Sequence, residues 1–338
     1  MTTIRVLLAF GGESAEHDVS IASARNVFAA LDNTIYDVDL CYITRDGRWQ
    51  LVQDIEQLEG EHDTLVPQLG TGTFTAGSKT LQPTVLLPIL HGSNGEDGSV
   101  QGLAQLMHIP IVGCGILSAA LCMDKEVAKR LLRAAGMNVT DYAVHYSYEV
   151  APDFAAMSAK LGDILFVKPA TQGSSVGVHK VRTAQEFAAA LADAHGYDRK
   201  VLIEAAATGR EIECAVLGND QPQASQPGEI KPGEEFYSYD DKYAETSSAQ
   251  VIVPADLPEV VAQKVREAAL QAYRALECRG LARVDFFVDG DEVTVNEINT
   301  LPGFTNISMY PKMWQAEGVH YPQLVGKLID LALENNAN

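Results

Sequence analysis

Leu281-Ala-Arg-Val-Asp-Phe-Phe-Val288 and Val293-Thr-Val-Asn-Glu-Ile-Asn299, closed by Thr300-Leu-Pro-Gly303, are the runs from which this chain is best read. Each alternates with period two, so Arg283 and Asp285 share one strand face, as do Glu297 and Asn299. Asp289-Gly290-Asp291 between them is a turn signal, and the two runs are expected to pair as a hairpin. If Asp285 lies opposite Glu297, Arg283 lies opposite Asn299, with a three- or five-residue loop centred on Asp291. That pairing gathers two carboxylates and an amide oxygen beside a guanidinium. Hard oxygen donors of this kind suit Mg²⁺ that carries substrate phosphates. A cross-strand salt bridge on a solvated sheet face is the bland alternative. The apolar residues around the carboxylates weigh against it, because burying them without a cation is costly.

At 338 residues the chain suits two or three domains. It is 46% apolar and 21% charged, a globular composition, and its formal charge of −20 disfavours nucleic acid or an anionic membrane surface as a partner. No apolar run approaches the roughly 20 residues a membrane helix needs. Ile4–Phe10 reads as a buried strand running into a Gly-Gly turn rather than a signal peptide. The five cysteines (Cys41, Cys114, Cys122, Cys214 and Cys278) are scattered without a CxxC, as expected of reduced thiols in a cytosolic protein.

The opening third reads as a βαβ-type doubly wound sheet: strand 4–10, loop 11–18, helix 19–31, strands 38–44 and 85–90. Residues 69–80, rich in Gly and Thr, read as an exposed excursion. His91–Gly98 sits at the carboxyl end of a strand, where open α/β sheets collect ligands, and leads into helix 99–107. A boundary follows near Cys114. Helix 118–135, ended by Gly136, opens an α+β unit with strands 164–169, 176–181 and 201–204 and helix 184–194. Beyond it come strand 211–217, a long polar segment 218–250, helix 258–276, the hairpin and a terminal helix. Connections as long as 219–250 are usually lids or disordered.

Gln172-Gly-Ser-Ser-Val-Gly177 joins two strands, so its backbone N–H groups can wrap an anion without a helix. It is not a Walker A loop. A flexible turn is the alternative, but Lys168, ending a buried strand beside the loop, is a credible phosphate ligand. Glu204 and Glu211 flank a hinge where a carboxylate can accept ribose hydroxyls; surface glutamates are the simpler alternative. Glu16 either caps the helix that follows it or presents its carboxylate to an ammonium. Asp240-Asp-Lys-Tyr243 on the long polar segment is a lid or an exposed turn. His91, in its Gly-rich loop, is either structural or a site residue.

Taken together, the chain resembles the D-alanine–D-alanine ligases, members of the ATP-grasp superfamily of carboxylate–amine ligases. The resemblance rests on GGESAEHDVS (11–20), HGSNGEDGSVQG (91–102), CMDKEVAKRLL (122–132), VKPATQGSSVG (167–177), GREIECAVLG (209–218), FYSYDDKY (236–243) and ARVDFFV…NEINTLPGFT (282–305), in that order. It implies an α/β ATP-grasp fold of three domains. Residues 1–114 are the amino-terminal substrate-binding domain, 115–204 the central subdomain, and 205–338 the carboxy-terminal subdomain with metal site and lid.

The resemblance further implies that Lys125 and Lys168 bind ATP phosphates under the Ser174–Ser175 loop, with Lys242 approaching from the lid. Glu204, Ala205 and Ala207 would hold the adenosine and Glu211 the ribose. Asp285, Glu297 and Asn299 would carry two Mg²⁺ (or Mn²⁺) ions. Glu16, Ser174 and Tyr243 match a hydrogen-bonded trio in which Glu16 takes the first D-alanine's ammonium, with His91 nearby. Arg283 and the Gly303 N–H would stabilise the reacting carbonyl, and Ser308 and Met309 would meet the second substrate's carboxylate. The implied activity is ATP-dependent synthesis of D-alanyl-D-alanine through an acyl phosphate, for peptidoglycan precursors, by a cytoplasmic homodimer.

Two departures stand out. The hinge reads Glu204-Ala-Ala-Ala207 where relatives often carry a lysine and a bulky residue, and the turn after Asp285 is one residue shorter than in some. Tyr243 favours an amine over D-lactate as acceptor, while D-serine stays open. A catalytically inactive ATP-binding regulator would have to explain why Lys168, Arg283 and the metal trio are all intact.

Overall fold

The computed structural model describes residues 3–231, 250–305 and 307–334. The chain opens with β1 (Ile4–Gly11), α1 (His17–Ala30), β2 (Tyr36–Ile43), β3 (Trp49–Val52), β4 (Asp63–Thr64), β5 (Val66–Gln68), β6 (Thr73–Ala76), β7 (Lys79–Leu81), β8 (Val85–Ile89) and α2 (Ser99–Met107). β1 pairs in parallel with both β2 and β8 at the centre of a sheet ordered β4-β3-β2-β1-β8. Such a strand must be apolar on both faces, which is why Val6-Leu-Leu-Ala-Phe10 does not alternate. Val6, Leu8 and Phe10 pack on one side into a core shared with the last helices, while Leu7 and Ala9 face α2 on the other.

The Gly/Thr-rich excursion is exposed over much of its length, as read from sequence, but it also forms regular strands. β5, β6 and β7 form a three-stranded antiparallel sheet, and Phe74, Ala76 and Leu81 join the α2 core. Two-residue spacing of these apolar side chains outweighs the glycines, which serve the turns.

Next come α3 (Ile116–Met123), α4 (Lys125–Ala134), β9 (Tyr142–Tyr146), α5 (Phe154–Leu161), β10 (Leu165–Pro169), β11 (His179–Val181), α6 (Ala184–Tyr197) and β12 (Lys200–Ala205). The single helix expected over 118–135 is broken at Asp124. That residue adopts an extended conformation, and its carboxylate accepts the Glu126 and Val127 N–H groups as the cap of a new helix. α6 begins with a full capping box between Thr183 and Glu186. The four strands form an antiparallel sheet ordered β11-β10-β12-β9, packed on α5 and α6.

The remainder is β13 (Arg210–Leu217), β14 (Gln223–Ala224), β15 (Gly228–Lys231), β16 (Gln250–Ile252), α7 (Glu259–Ala275), β17 (Leu281–Asp289), β18 (Glu292–Asn299), α8 (Met309–Ala316) and α9 (Tyr321–Glu334). Its sheet runs β16-β15-β13-β17-β18, with β14 paired to β13. Ala282, Val284, Phe286 and Val288 face α7 in the core, which leaves Arg283, Asp285 and Phe287 on the opposite face. The segment expected as one long polar stretch therefore contributes β14 and β15 before residue 232. No helix among the described residues is long and apolar enough to cross a membrane.

Candidate active site

The open faces of the β11-β10-β12-β9 and β16-β15-β13-β17-β18 sheets, with the loops at the end of the β4-β3-β2-β1-β8 sheet, enclose a cleft of about 1620 Å³. Its floor is the hairpin. Asp285 is the Cα partner of Glu297 and Arg283 of Asn299, the pairing considered from the alternation. The turn differs from either expected length. The ladder slips between Asp285 and Phe286, so Phe286 pairs with Val295 and Asn296 is the extra residue of a bulge. The strands then run on to Asp289 and Glu292, and only Gly290-Asp291 remain in the loop.

Arg283 is the cation that makes this acidic floor tolerable. Its Nε and Nη2 lie 2.7 Å from Asp285 Oδ1 and Oδ2, and Nε is 2.9 Å from Glu213 Oε2 on β13. Burial alone would lower its pKa, but the Asp285 and Glu213 carboxylates outweigh burial and keep it charged. Asn299 Nδ2 donates to Asp285 Oδ2 at 2.9 Å. Asp285 and Glu297, with the Asn299 amide beside them, form a partly exposed set of hard oxygen donors on one face. Among the described residues no three His, Cys, Asp or Glu side chains converge to hold a metal. An ion on Asp285, Glu297 and Asn299 would complete its shell with a ligand's own oxygens, as Mg²⁺ on phosphates does.

Lysines line the facing wall. Lys125, first residue of α4, donates to the Gln172 carbonyl at 2.5 Å and lies 3.8 Å from Glu297 Oε2. Lys168 on β10 is 2.8 Å from Glu204 Oε2 on β12. Between them the loop 170–177 turns with Ser174 and Ser175 both at positive φ (48° and 60°), an unfavourable pair for side-chain-bearing residues. Its start is pinned by Asp198, whose Oδ2 accepts both the N–H and the hydroxyl of Thr171. Ala205, Ala207 and Glu211 line the cleft beside Glu204.

Glu16 enters from the first sheet. It stands at the N-cap position of α1 yet makes no side-chain capping bond, so capping does not explain it. It is buried, and a Cβ built on Gly92 or Gly173 would lie 3.7 or 3.4 Å from its Oε2. The carboxylate thus sits between the His91–Gly98 loop and the Ser174 loop. His91 Nδ1 is bonded to the Leu301 carbonyl at 3.0 Å. Gly303 adjoins Ser308 Oγ, which accepts the Thr305 N–H at 3.0 Å, and Met309 is buried next to it. The structure therefore brings Glu16, His91, Lys125, Lys168, Ser174, Ser175, Glu204, Glu211, Arg283, Asp285, Glu297, Asn299, Gly303, Ser308 and Met309 to one cleft. Lys242 and Tyr243 lie outside the described residues.

Three site residues escape the sequence reading. Glu213, partner of Asp285 across β13, shares a strand face with Glu211 in the quoted GREIECAVLG, and that alternation was a usable signal. Lys129 ion-pairs with Glu204 at 3.3 Å from one helical turn beyond Lys125. Glu96 accepts the Gly92 and Leu301 N–H groups at 2.7 and 3.1 Å, joining the first sheet's loop to the end of the hairpin.

The family models for the D-ala D-ala ligase N-terminus and C-terminus match residues 5–114 and 131–330. The chain belongs to the D-alanine–D-alanine ligase family. It is 49% identical to D-alanine–D-alanine ligase A of Chromobacterium violaceum, over 99% of this chain and 96% of that one. Among solved structures, the VanG D-Ala:D-Ser ligase of Enterococcus faecalis superposes with a TM-score of 0.90 at 34% identity, over 98% of this chain and all of that one. The ATP complex of D-alanine–D-alanine ligase from Bacillus anthracis superposes at 0.77 with 29% identity, covering 99% of each chain. The sheets and the cleft are accordingly those of an ATP-grasp ligase. Because peptide ligases and a D-Ala:D-Ser ligase share this fold, backbone likeness alone does not choose the second substrate.

Proposed function

We propose that this chain joins two D-alanines into D-alanyl-D-alanine at the expense of ATP, for peptidoglycan precursor synthesis. The observation that carries the reading is the hairpin register. It sets Arg283, Asp285, Glu297 and Asn299 on one face, opposite Lys125 and Lys168 and beside Glu16. The first D-alanine's carboxylate oxygen attacks the γ-phosphorus, giving an acyl phosphate and ADP. The second D-alanine's amine then attacks the acyl carbon, and phosphate leaves.

Each group has a role that follows from its chemistry. Lys125, Lys168 and the backbone N–H groups around Ser174 and Ser175 receive the phosphates, and Glu204, Ala205, Ala207 and Glu211 receive the nucleoside. Phosphoryl transfer demands positioning and charge neutralisation more than covalent help. Asp285, Glu297 and the Asn299 amide oxygen would hold Mg²⁺ or Mn²⁺, which supplies charge neutralisation at the phosphates. Arg283 and the Gly303 N–H face the oxyanion that forms at the acyl carbon. Glu16, with Ser174, Tyr243 and His91, takes the first ammonium, and Ser308 and Met309 border the second carboxylate. The same reading divides the chain at 114 and 204 and makes it a cytoplasmic homodimer acting on small molecules.

D-serine as the second substrate is the second reading, kept because a D-Ala:D-Ser ligase shares this fold. Mass spectrometry of products from ATP, Mg²⁺ and D-alanine, alone and with added D-serine or D-lactate, separates the two, with L-alanine as control. D-alanyl-D-alanine with equimolar ADP is expected, and a predominant mixed product would reassign the second subsite. Absence of both product and ADP would overturn ligation itself.

A further inference from the structure

Lys129 is 1% exposed, on the buried side of α4, behind the wall of the cleft. Its ammonium lies 3.3 Å from Glu204 Oε1, while Lys168 takes Glu204 Oε2 at 2.8 Å. One carboxylate therefore serves two ammonium groups, and the cluster carries an excess positive charge. A buried lysine is expensive to keep charged, and a carboxylate paired with Lys168 alone would already be satisfied. The additional cation has a consequence for Lys168. Without it, Glu204 would neutralise Lys168 completely and hold it back from any anion in the cleft.

We propose that Lys129 is a positioning residue for the nucleotide: by sharing Glu204, it leaves Lys168 with uncompensated charge for an ATP phosphate. This rests on the ATP-dependent reading of the cleft. The charged groups facing Lys129 are Glu204 on β12, Lys168 on β10 and, farther off, Glu297 on β18. Burial chiefly, and Lys168 with it, lowers the Lys129 pKa to about 8 against the pull of Glu204 and Glu297, so the ammonium persists at neutral pH. Glu204, for its part, is held below the ordinary carboxylate range: burial would raise it, but Lys129 and then Lys168 overcome burial. Arrival of a phosphate gives the surplus charge its partner.

The test is equilibrium binding of a non-hydrolysable ATP analogue with Mg²⁺ and, separately, of adenosine, alongside KM for ATP and kcat. Lys129→Met is expected to raise the analogue's Kd and the KM for ATP about tenfold, equivalent to weakening one charge-assisted contact. kcat and the KM for D-alanine should stay within about twofold, because the reacting carbonyl is not touched. Adenosine, which carries no phosphate for Lys168, should bind Lys129→Met within about twofold of wild type. A packing role would weaken adenosine and the analogue alike, and that result overturns the proposal. Should Lys129→Met not fold, Lys129→Gln keeps a donor for Glu204 without the charge and must show the same loss; wild-type affinity in it would also overturn the proposal. Failure of wild type itself to bind the analogue would strike the ATP reading instead.

Discussion

Arg283 and Asp285, two residues apart on one strand, close a two-point fork, Nε to Oδ1 and Nη2 to Oδ2, each at 2.7 Å. With Glu213 at 2.9 Å on the neighbouring strand, the guanidinium sits between two carboxylates and points along the cleft floor. Such a planar fork is pre-organised, so it meets a developing negative charge without rearranging.

Arg283→Lys should therefore cost more than its conserved charge suggests. An ammonium cannot hold Asp285 at two points and reach a substrate oxygen from the same place. A fall in kcat of about 100-fold or more is expected, the scale of losing one oxyanion donor. Arg283→Ala should in addition destabilise the fold by about 3–5 kcal/mol, since Asp285 and Glu213 would lose their shared cation. Steady-state kinetics and a denaturant melt on both variants check this, and undiminished kcat in Arg283→Lys would remove Arg283 from the chemistry.

Glu297→Gln preserves shape and removes one of the two carboxylates that face each other across the hairpin. Turnover should fall about 100-fold or more while the melting temperature stays near wild type, because the side chain is partly solvated and its ion pair with Lys125 is long, at 3.8 Å. Activity titrated against Mg²⁺ is the measurement. Near-normal turnover with an unchanged Mg²⁺ requirement would exclude Glu297 as a metal ligand.

The facing of the hairpin was legible because period-two alternation puts the apolar residues of each strand on α7, and Asp285 opposite Glu297 is one of the pairings that it allows. Its turn was not, because the bulge at Asn296 is marked by neither glycine nor proline. The same limit hid β6, where Gly and Thr masked the inward Phe74 and Ala76, and the break at Asp124, where a capping carboxylate outweighed a continuous helical pattern. The cleft's residues could be named from their motifs, but the sharing of Glu204 by Lys129 and Lys168 depends on a helix and two strands meeting, which no local spacing reports.

Gly177 is the one position in the anion loop where a side chain meets backbone and space limits together. Its φ is +67°, and a Cβ there would lie 2.8 Å from the Tyr197 ring and 2.9 Å from Pro169 Cγ. Gly177→Ala should displace the Ser174–Ser175 turn, with a cost of roughly 1–2 kcal/mol from the left-handed backbone alone. The expected signature is a raised KM for ATP, accompanied by a raised KM for the first D-alanine through Ser174. Unaltered ATP kinetics would mean that the loop does not contribute to nucleotide binding.

Glu96 gives the stability a pH dependence of unusual sign for a carboxylate. Burial first, and the nearby Glu16 next, push its pKa up to about 7, against the Gly92 and Leu301 N–H groups and Arg283, whereas the unfolded chain titrates near 4.5. Between those values the folded protein keeps a proton that the unfolded chain has released. Glu96 therefore supports the fold fully below about pH 4.5, and that support is lost as pH rises through about 7. Glu96→Gln carries no such titration. Replacing one oxygen by NH₂ opposes the Gly92 or Leu301 N–H and lowers stability by an amount independent of pH. Relative to wild type, the variant should thus gain on the order of 1–3 kcal/mol between about pH 5 and pH 8. Denaturation curves of both proteins across that range test it: a constant difference would show that Glu96 is ionised in the folded state throughout, and a variant losing ground with rising pH would reverse the assignment.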